Sequence, residues 1–250
     1  MADTVWSFSR ITSFEDCRYK FFLSYIRHCD KKRLFFSDYG SFIHKIIEKY
    51  LKGGLSKNEL LPYYTSNFKK EVKGKAPSRK LFKNYFEQGI KYFANIKFPY
   101  EKPYAIEHRV KFDIDGKPFV GIIDCLVKDK NLVILDNKSK CLKNRSNRAT
   151  PTKSDIELSS KLRQLYLYSI PIKCKFDRYP DRLEFNCFRS GELVSEPFKI
   201  EDFYETKKWA SDLVNTIINN EDWSPNMEYW KCNYLCDVHD HCEYFQINKK

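Results

Sequence analysis

Apolar residues recur at helical spacing along the first third of the chain and change to strand-like runs in the middle. In Ser37-Asp38-Tyr39-Gly40-Ser41-Phe42-Ile43-His44-Lys45-Ile46-Ile47-Glu48, apolar positions 42, 43, 46, 47 and 50 form one helical stripe behind capping residues. His44 lies off that stripe, with Gly40 one turn before it, where a glycine lets another backbone or a ligand approach. The same reading predicts helices over 13–28, 38–52, 57–73 and 78–96, interrupted by Gly53-Gly54 and Pro77, then strands over 104–114, 118–128 and 131–138. The polar, basic stretch from Ser139 to Lys153 reads as a mobile loop. A helix over 155–170, a hairpin of 182–188 with 193–198 turning at Ser190-Gly191, and a helix over 201–220 follow. With 250 residues and no Gly/Pro/Ser-rich linker, one domain is expected over 1–250: a helical part (1–100), a sheet core (101–200), and a helix with a cysteine-rich cap (201–250).

The chemistry concentrates on the predicted hairpin. Phe119-Val120-Gly121-Ile122-Ile123-Asp124-Cys125-Leu126-Val127 is an apolar, β-branched run, Lys128-Asp129-Lys130-Asn131 a polar turn, and Leu132-Val133-Ile134-Leu135-Asp136-Asn137-Lys138 the return strand. A three-residue loop at 129–131 sets Asp124 opposite Asp136. Strand side chains repeat every two residues, so Asp136 and Lys138 share a face roughly 6.5 to 7 Å apart, and cross-strand partners lie about 5 Å apart. Two carboxylates in so apolar a strand pair must be paired, protonated or bound to a metal. Their oxygens suit Mg²⁺ or Mn²⁺, and the adjacent ammonium can orient an attacking water or offset charge growing on phosphoryl oxygens. The pattern reads as metal-assisted phosphodiester hydrolysis. The plainer alternative is an Asp–Lys surface salt bridge with Asp124 capping a turn.

Charge and cysteine usage narrow the setting. A net charge of +12, from 45 Lys and Arg against 33 acids, argues for a polyanionic partner. The 17 tyrosines and 20 phenylalanines offer rings to stack on unpaired bases where they are not core residues. Nine cysteines, no apolar signal segment at Met1-Ala2-Asp3-Thr4 and no run long enough to span a membrane lead us to expect a reducing, cytoplasmic setting. Cys232, Cys236 and Cys242 crowd the C-terminal end while Cys17 stands alone near the start, which suggests a four-thiolate metal site clipping the two ends together. Zinc with a histidine from His239 or His241 is an alternative, as are unligated buried thiols. Cys29, Cys125, Cys141, Cys174 and Cys187 read as small core or loop residues.

Taken in order, these elements resemble the RecB-like branch of the PD-(D/E)XK nuclease superfamily, which includes the AddB nuclease domain and CRISPR-adaptation exonucleases. The likeness begins at Trp6-Ser7-Phe8-Ser9-Arg10-Ile11-Thr12-Ser13-Phe14-Glu15-Asp16-Cys17-Arg18-Tyr19-Lys20-Phe21. It continues through Gly40 to His44, Gly121 to Asp124, Asp136-Asn137-Lys138 and the i, i+4 pair Gln164 and Tyr168. Arg18 replaces the usual proline after the first cysteine, and Asn137 an aromatic or aliphatic residue.

The resemblance implies an α/β fold with a restriction-endonuclease-like core: a mixed central sheet flanked by helices. It makes His44, Asp124, Asp136 and the Asn137 carbonyl the metal ligands, Lys138 the catalytic lysine, and Gln164 and Tyr168 part of a nucleic-acid channel. Glu107 matches an acidic residue of the preceding strand, in a supporting catalytic role. Relatives with a [4Fe–4S] cluster distribute ligands as Cys17, Cys232, Cys236 and Cys242 are distributed, although the gap between Cys232 and Cys236 is three residues where theirs is usually two. The function expected is a metal-dependent DNA exonuclease for single strands or DNA ends, serving repair or recombination. A structure-selective endonuclease and a non-catalytic DNA-binding module are the alternatives. No G-x-x-x-x-G-K-[ST] phosphate loop is present, so unwinding is expected from a helicase or recombination partner in trans.

Overall fold

The structure is a computed structural model that describes residues 4–96 and 98–247, with no account of the Gln246 and Ile247 side chains. Met1–Asp3, part of the segment read for a leader, lie outside the described residues. The fold is mixed α/β. Five strands, β1 (Ala105–Ile114), β2 (Lys117–Lys128), β3 (Leu132–Lys138), β4 (Arg182–Cys187) and β5 (Glu192–Pro197), form one sheet in sequence order. All neighbouring pairs are antiparallel except β3 and β4, which are parallel. That parallel step needs a crossover, supplied by α6 (Lys153–Phe176).

The hairpin register follows the predicted turn. Cys125 pairs with Leu135 and Lys128 with Leu132, so the next step along β2 and β3 brings Asp124 and Asp136 together. β2 and β3 are buried on both sides. Leu126, Leu132 and Ile134 pack with Leu162 and Leu165 of α6, whereas Cys125, Val127, Val133 and Leu135 pack on the other side with Phe98 and Tyr100.

Before the sheet, α3 (Phe35–Leu51), α4 (Leu60–Glu71) and α5 (Arg79–Ala94) share an aromatic core containing Phe35, Tyr39, Phe42, Tyr64, Phe68 and Phe93. The apolar stripe of α3 lies in this core, which leaves the His44 face turned toward the sheet.

The segment expected as one helix over 13–28 is different. It begins earlier, as α1 (Phe8–Asp16), because the Ser7 hydroxyl accepts the Arg10 N–H at 3.2 Å. Cys17 then leaves helical geometry at φ −166°, and its own Sγ accepts the Lys20 N–H at 3.4 Å, starting α2 (Arg18–Phe21). A π-helical turn, Phe22–Ile26, ends the segment. Trp6 pairs with the start of β2, receiving the Val120 N–H on its carbonyl at 2.9 Å, and so lays α1 beside Gly121.

Helix α6 also exceeds its predicted end at 170, running through Pro171 to Phe176. Burial of Ile172 in the sheet core holds this last stretch, and Asp177, at φ 54°, ends it. The stretch from Ser139 to Lys153, read as mobile, is tied down and its last residue starts α6. The Asp155 carboxylate accepts hydrogen bonds from the N–H and hydroxyl of both Ser146 and Thr152, and Leu142 is buried in the core.

After β5, α7 (Ile200–Ile218) packs against α1 through Ala210, Val214 and Ile217. Two short helices, α8 (Tyr229–Tyr234) and α9 (Glu243–Ile247), form the cysteine-rich end. Among the described residues no helix is long and apolar enough to cross a membrane.

Candidate active site

Four elements converge on the polar end of the hairpin. α3 supplies His44, β1 Glu107, β2 Asp124, and β3 Asp136, Asn137 and Lys138. Asp124, Asp136 and Asn137 are buried, with relative exposures of 8%, 4% and 4%. One ligand atom from each of His44, Glu107 and Asp124 lies within 4.8 Å of the others, the one such potential metal-binding group among the described residues.

The hydrogen bonds around His44 define what these groups can hold. His44 Nε2 lies 2.9 Å from the Asn137 carbonyl oxygen, which can only accept, so Nε2 carries the proton. Burial lowers the His44 pKa, making the neutral ring the relevant form. Its Nδ1 then presents a lone pair to Asp124 Oδ2, 3.3 Å away. That same oxygen accepts the Asn137 N–H at 2.7 Å. Two acceptors facing each other in a buried site require a proton or a cation between them. Burial, and then the charge of Asp136, push the Asp124 pKa well above the ordinary carboxylate range. Burial, and then Glu48, also raise that of Glu107. The donor set of one imidazole and several carboxylates therefore fits a hard divalent cation that replaces a proton.

Lys138 occupies the other side of the cluster. Its Nζ lies 2.8 Å from Asp136 Oδ2 and donates to Gln164 Oε1 at 2.9 Å. Among the described residues Asp136 Oδ2 has this ammonium beside it and no second donor directed at it. Burial opposes the lysine charge, but Asp136 and Asp124 outweigh it and raise the Lys138 pKa. Gln164 continues the chain by donating from Nε2 to the Tyr168 hydroxyl at 3.2 Å, and Tyr168 packs against the bare backbone of Gly121.

Two clefts flank the cluster. One, of about 580 Å³, is bordered by Ser7, Ser9, Arg109, Ile122, Lys138 and Gln164. The other, of about 450 Å³, is bordered by Phe36, Gly40, His44, Lys45 and Glu107.

The structure thus brings together the residues predicted around the hairpin, with a different emphasis. Glu107, read from sequence as a supporting acid, joins His44 and Asp124 directly, whereas Asp136 is engaged by Lys138. Glu107 sits in the left-handed region at φ 50° inside β1, a strained geometry for a non-glycine residue that is concentrated at functional sites. No sequence pattern announces that strain. Asn137, at a usually apolar position, is matched by its β4 neighbour: Asn186 Nδ2 donates to Asn137 Oδ1 at 2.7 Å.

The cysteines expected to act together do approach one another. Cys17, Cys232 and Cys236 line a cavity of about 120 Å³ with Lys20, Asn226 and Leu235, and Cys242 packs in the apolar cluster that touches Cys232 and Cys236. Burial pushes Cys236 up to about 11 and also raises Cys242. All nine thiols are free of disulfides. His239 is engaged elsewhere, with Nδ1 2.8 Å from the Cys236 carbonyl oxygen.

Comparison with known proteins bears on the fold and the family. A solved structure described as "Putative exonuclease" from Eubacterium rectale aligns with a TM-score of 0.55 at 12% identity, over 95% of this chain and 87% of that one; this likeness shows the fold. A second, the crystal structure of SSO0001, aligns at a TM-score of 0.31 and 16% identity, over 82% of this chain and 97% of that one, too low to bear on the fold. No curated protein matches the chain. Residues 5–243, from the strand-like segment before α1 to the start of α9, match the family model of the PD-(D/E)XK nuclease superfamily. With Asp124 on one strand and Asp136-Asn137-Lys138 on the next, the chain belongs to the PD-(D/E)XK nuclease superfamily.

Proposed function

We propose that the protein is a Mg²⁺- or Mn²⁺-dependent deoxyribonuclease that acts as an exonuclease on single-stranded DNA or DNA ends, in repair or recombination. The single observation carrying this reading is the acceptor-to-acceptor contact of His44 Nδ1 with Asp124 Oδ2 beside Glu107. His44, Glu107 and Asp124 hold the ion in this proposal, with Asp136 and the Asn137 carbonyl at its border. When bound, the ion supplies an acidified water and polarises the scissile phosphate. The chain's own groups do the rest. Asp136 and Gln164 hold the Lys138 ammonium at the cleft edge, where it offsets charge developing on the phosphoryl oxygens. Gln164 and Tyr168 border the path of the nucleic acid.

In the same proposal Cys17, Cys232, Cys236 and Cys242 hold a [4Fe–4S] cluster with a structural role. Cys17, Cys232 and Cys236 line one cavity and Cys242 packs in the cluster beside them, which supports a shared four-thiolate site; zinc is the alternative. In this proposal the protein works in a reducing compartment, and a helicase or recombination partner in trans would supply unwinding.

The test is digestion of end-labelled linear DNA and covalently closed circles with Mn²⁺, for the parent and Asp124→Asn. An exonuclease degrades linear strands and spares circles, and Asp124→Asn abolishes the activity. Cutting of circles transfers the assignment to an endonuclease. Binding without cleavage of either leaves a DNA-binding module.

A further inference from the structure

Along α3, Phe36, Gly40, His44 and Glu48 fall at successive i, i+4 positions, and all four border the cleft on the His44 side of the site. Gly40 lies inside the helix, where glycine is unfavourable relative to alanine. Its φ is not positive, and a Cβ added there would meet no atom within 4 Å. Neither backbone conformation nor packing accounts for the missing side chain. It keeps the floor of an open groove low on the way to His44.

The far end of that groove is aromatic. The half-buried Phe36 lies 5.5 Å from the Tyr85 ring and 6.3 Å from Trp230, which in turn contacts Tyr234 at 4.7 Å. Trp230 remains 43% exposed and its neighbour Tyr229 78% exposed. α8 thus has two roles: Cys232 borders the cysteine cavity while Trp230 meets Phe36 of α3. Lys45, Glu48 and Glu107 also border the groove, and its aromatic end offers ring faces on which bases can stack.

Resting on the nuclease reading, we propose that Phe36 and Trp230 form a base-stacking platform that makes an unpaired DNA strand the substrate. Eight residues of helix separate Phe36 from His44, about 12 Å at 1.5 Å per residue, the length of three to four nucleotides stacked at ~3.4 Å. A duplex keeps its bases in its own stack and cannot offer them to these rings, whereas unpaired bases stack on exposed aromatic side chains regardless of sequence.

The experiment measures fluorescence-anisotropy binding in a Lys138→Ala background, which retains every carboxylate and slows cleavage by about 10²- to 10³-fold, so that binding is read before the strand is cut. A single abasic site is moved along a single-stranded oligonucleotide of mixed sequence. An abasic site at one or two positions should weaken binding roughly tenfold, within the factor of about 5 to 150 that one stacked base is worth. Adding Trp230→Ala should produce the same loss and erase the sensitivity to the abasic site, and Trp230→Phe should restore both, which separates stacking from damage to the cap. A flat abasic scan, or equal affinity for blunt duplex and single strand, overturns the platform while leaving the nuclease intact. Failure to bind any DNA removes the nuclease reading as well.

Discussion

Gly121 and Tyr168 are complementary: a methyl group at residue 121 would lie 2.2 Å from Tyr168 Cε1 and 2.8 Å from Cζ. The Tyr168 hydroxyl receives Gln164, and Gln164 receives Lys138, so the glycine sets the position of the lysine through two intermediates. Gly121→Ala is expected to slow cleavage about 10²-fold, the effect of a displacement near 1 Å at a reacting centre, with a stability cost of about 1 to 3 kcal/mol from overpacking. Tyr168→Phe keeps the ring and loses only the hydroxyl acceptor, so its loss should be smaller than that of Gly121→Ala. Single-turnover rates on end-labelled single strands check both, and an unchanged Gly121→Ala rate would refute the relay.

Lys138 is charged and borders the cleft, and it is not among the three convergent ligand groups. Lys138→Ala should therefore reduce the cleavage rate by about 10²- to 10³-fold, the typical cost of losing one electrostatic stabiliser, while Mn²⁺ affinity by titration calorimetry changes little. A parallel loss of metal affinity would place the lysine's role in assembling the acids instead.

Asp124 carries a stability signature of its own. Its folded pKa is raised, mainly by burial, above an unfolded value near ~3.9. In the window between those values the folded chain binds more protons than the unfolded one, so this group's contribution to stability falls as pH rises through the window. Asp124→Asn removes that penalty and retains an acceptor for the Asn137 N–H. In EDTA at pH 8 the variant should melt at or above the parent, and Mn²⁺ should raise the parent's melting temperature more at pH 8 than at pH 5. Melting curves across that range decide it; a variant less stable than the parent in EDTA at pH 8 contradicts the buried-charge account.

Asn137 and Asn186 form a buried polar pair across the parallel strands, and Asn186 also donates to the Tyr92 hydroxyl at 2.8 Å. Asn186→Leu leaves Asn137 Oδ1 without its donor and should destabilise by about 1 to 3 kcal/mol. Adding Asn137→Leu should recover part of that loss, because both partners become apolar. Urea unfolding of the four members of this cycle measures the coupling.

The cap offers a test that does not depend on cleavage. Protein purified without oxygen should be brown if the four cysteines hold iron and sulfide, and Cys17→Ser should lose the colour and lower the melting temperature because the clip between the chain ends opens. Colourless protein containing zinc by elemental analysis would reverse that assignment.

Much of this architecture was legible along the chain. The strand limits of β1 to β3, the hairpin register and the hydrogen-bonded Gln164–Tyr168 pair follow from local periodicity, turn length and spacing, whereas the meeting of Cys17 with the C-terminal cysteines was suggested by cysteine usage along the whole chain. The break of the first helix at Cys17 was not, because a side chain capping its own segment outweighs a propensity summed over the stretch. The passage of α6 through Pro171 escaped for a related reason: burial of Ile172 offsets the missing backbone donor.

Local sequence thus settled which residues are chemically able to act and on which strands they stand, since side-chain alternation and a three-residue turn are short-range properties. Tertiary packing decided which of them meet. The approach of Glu107 to His44 and Asp124, that of His44 to the Asn137 carbonyl and the contact of Trp230 with Phe36 each join groups distant along the chain. Such meetings depend on how helices seat against the sheet, a balance of burial over many residues that no local pattern encodes.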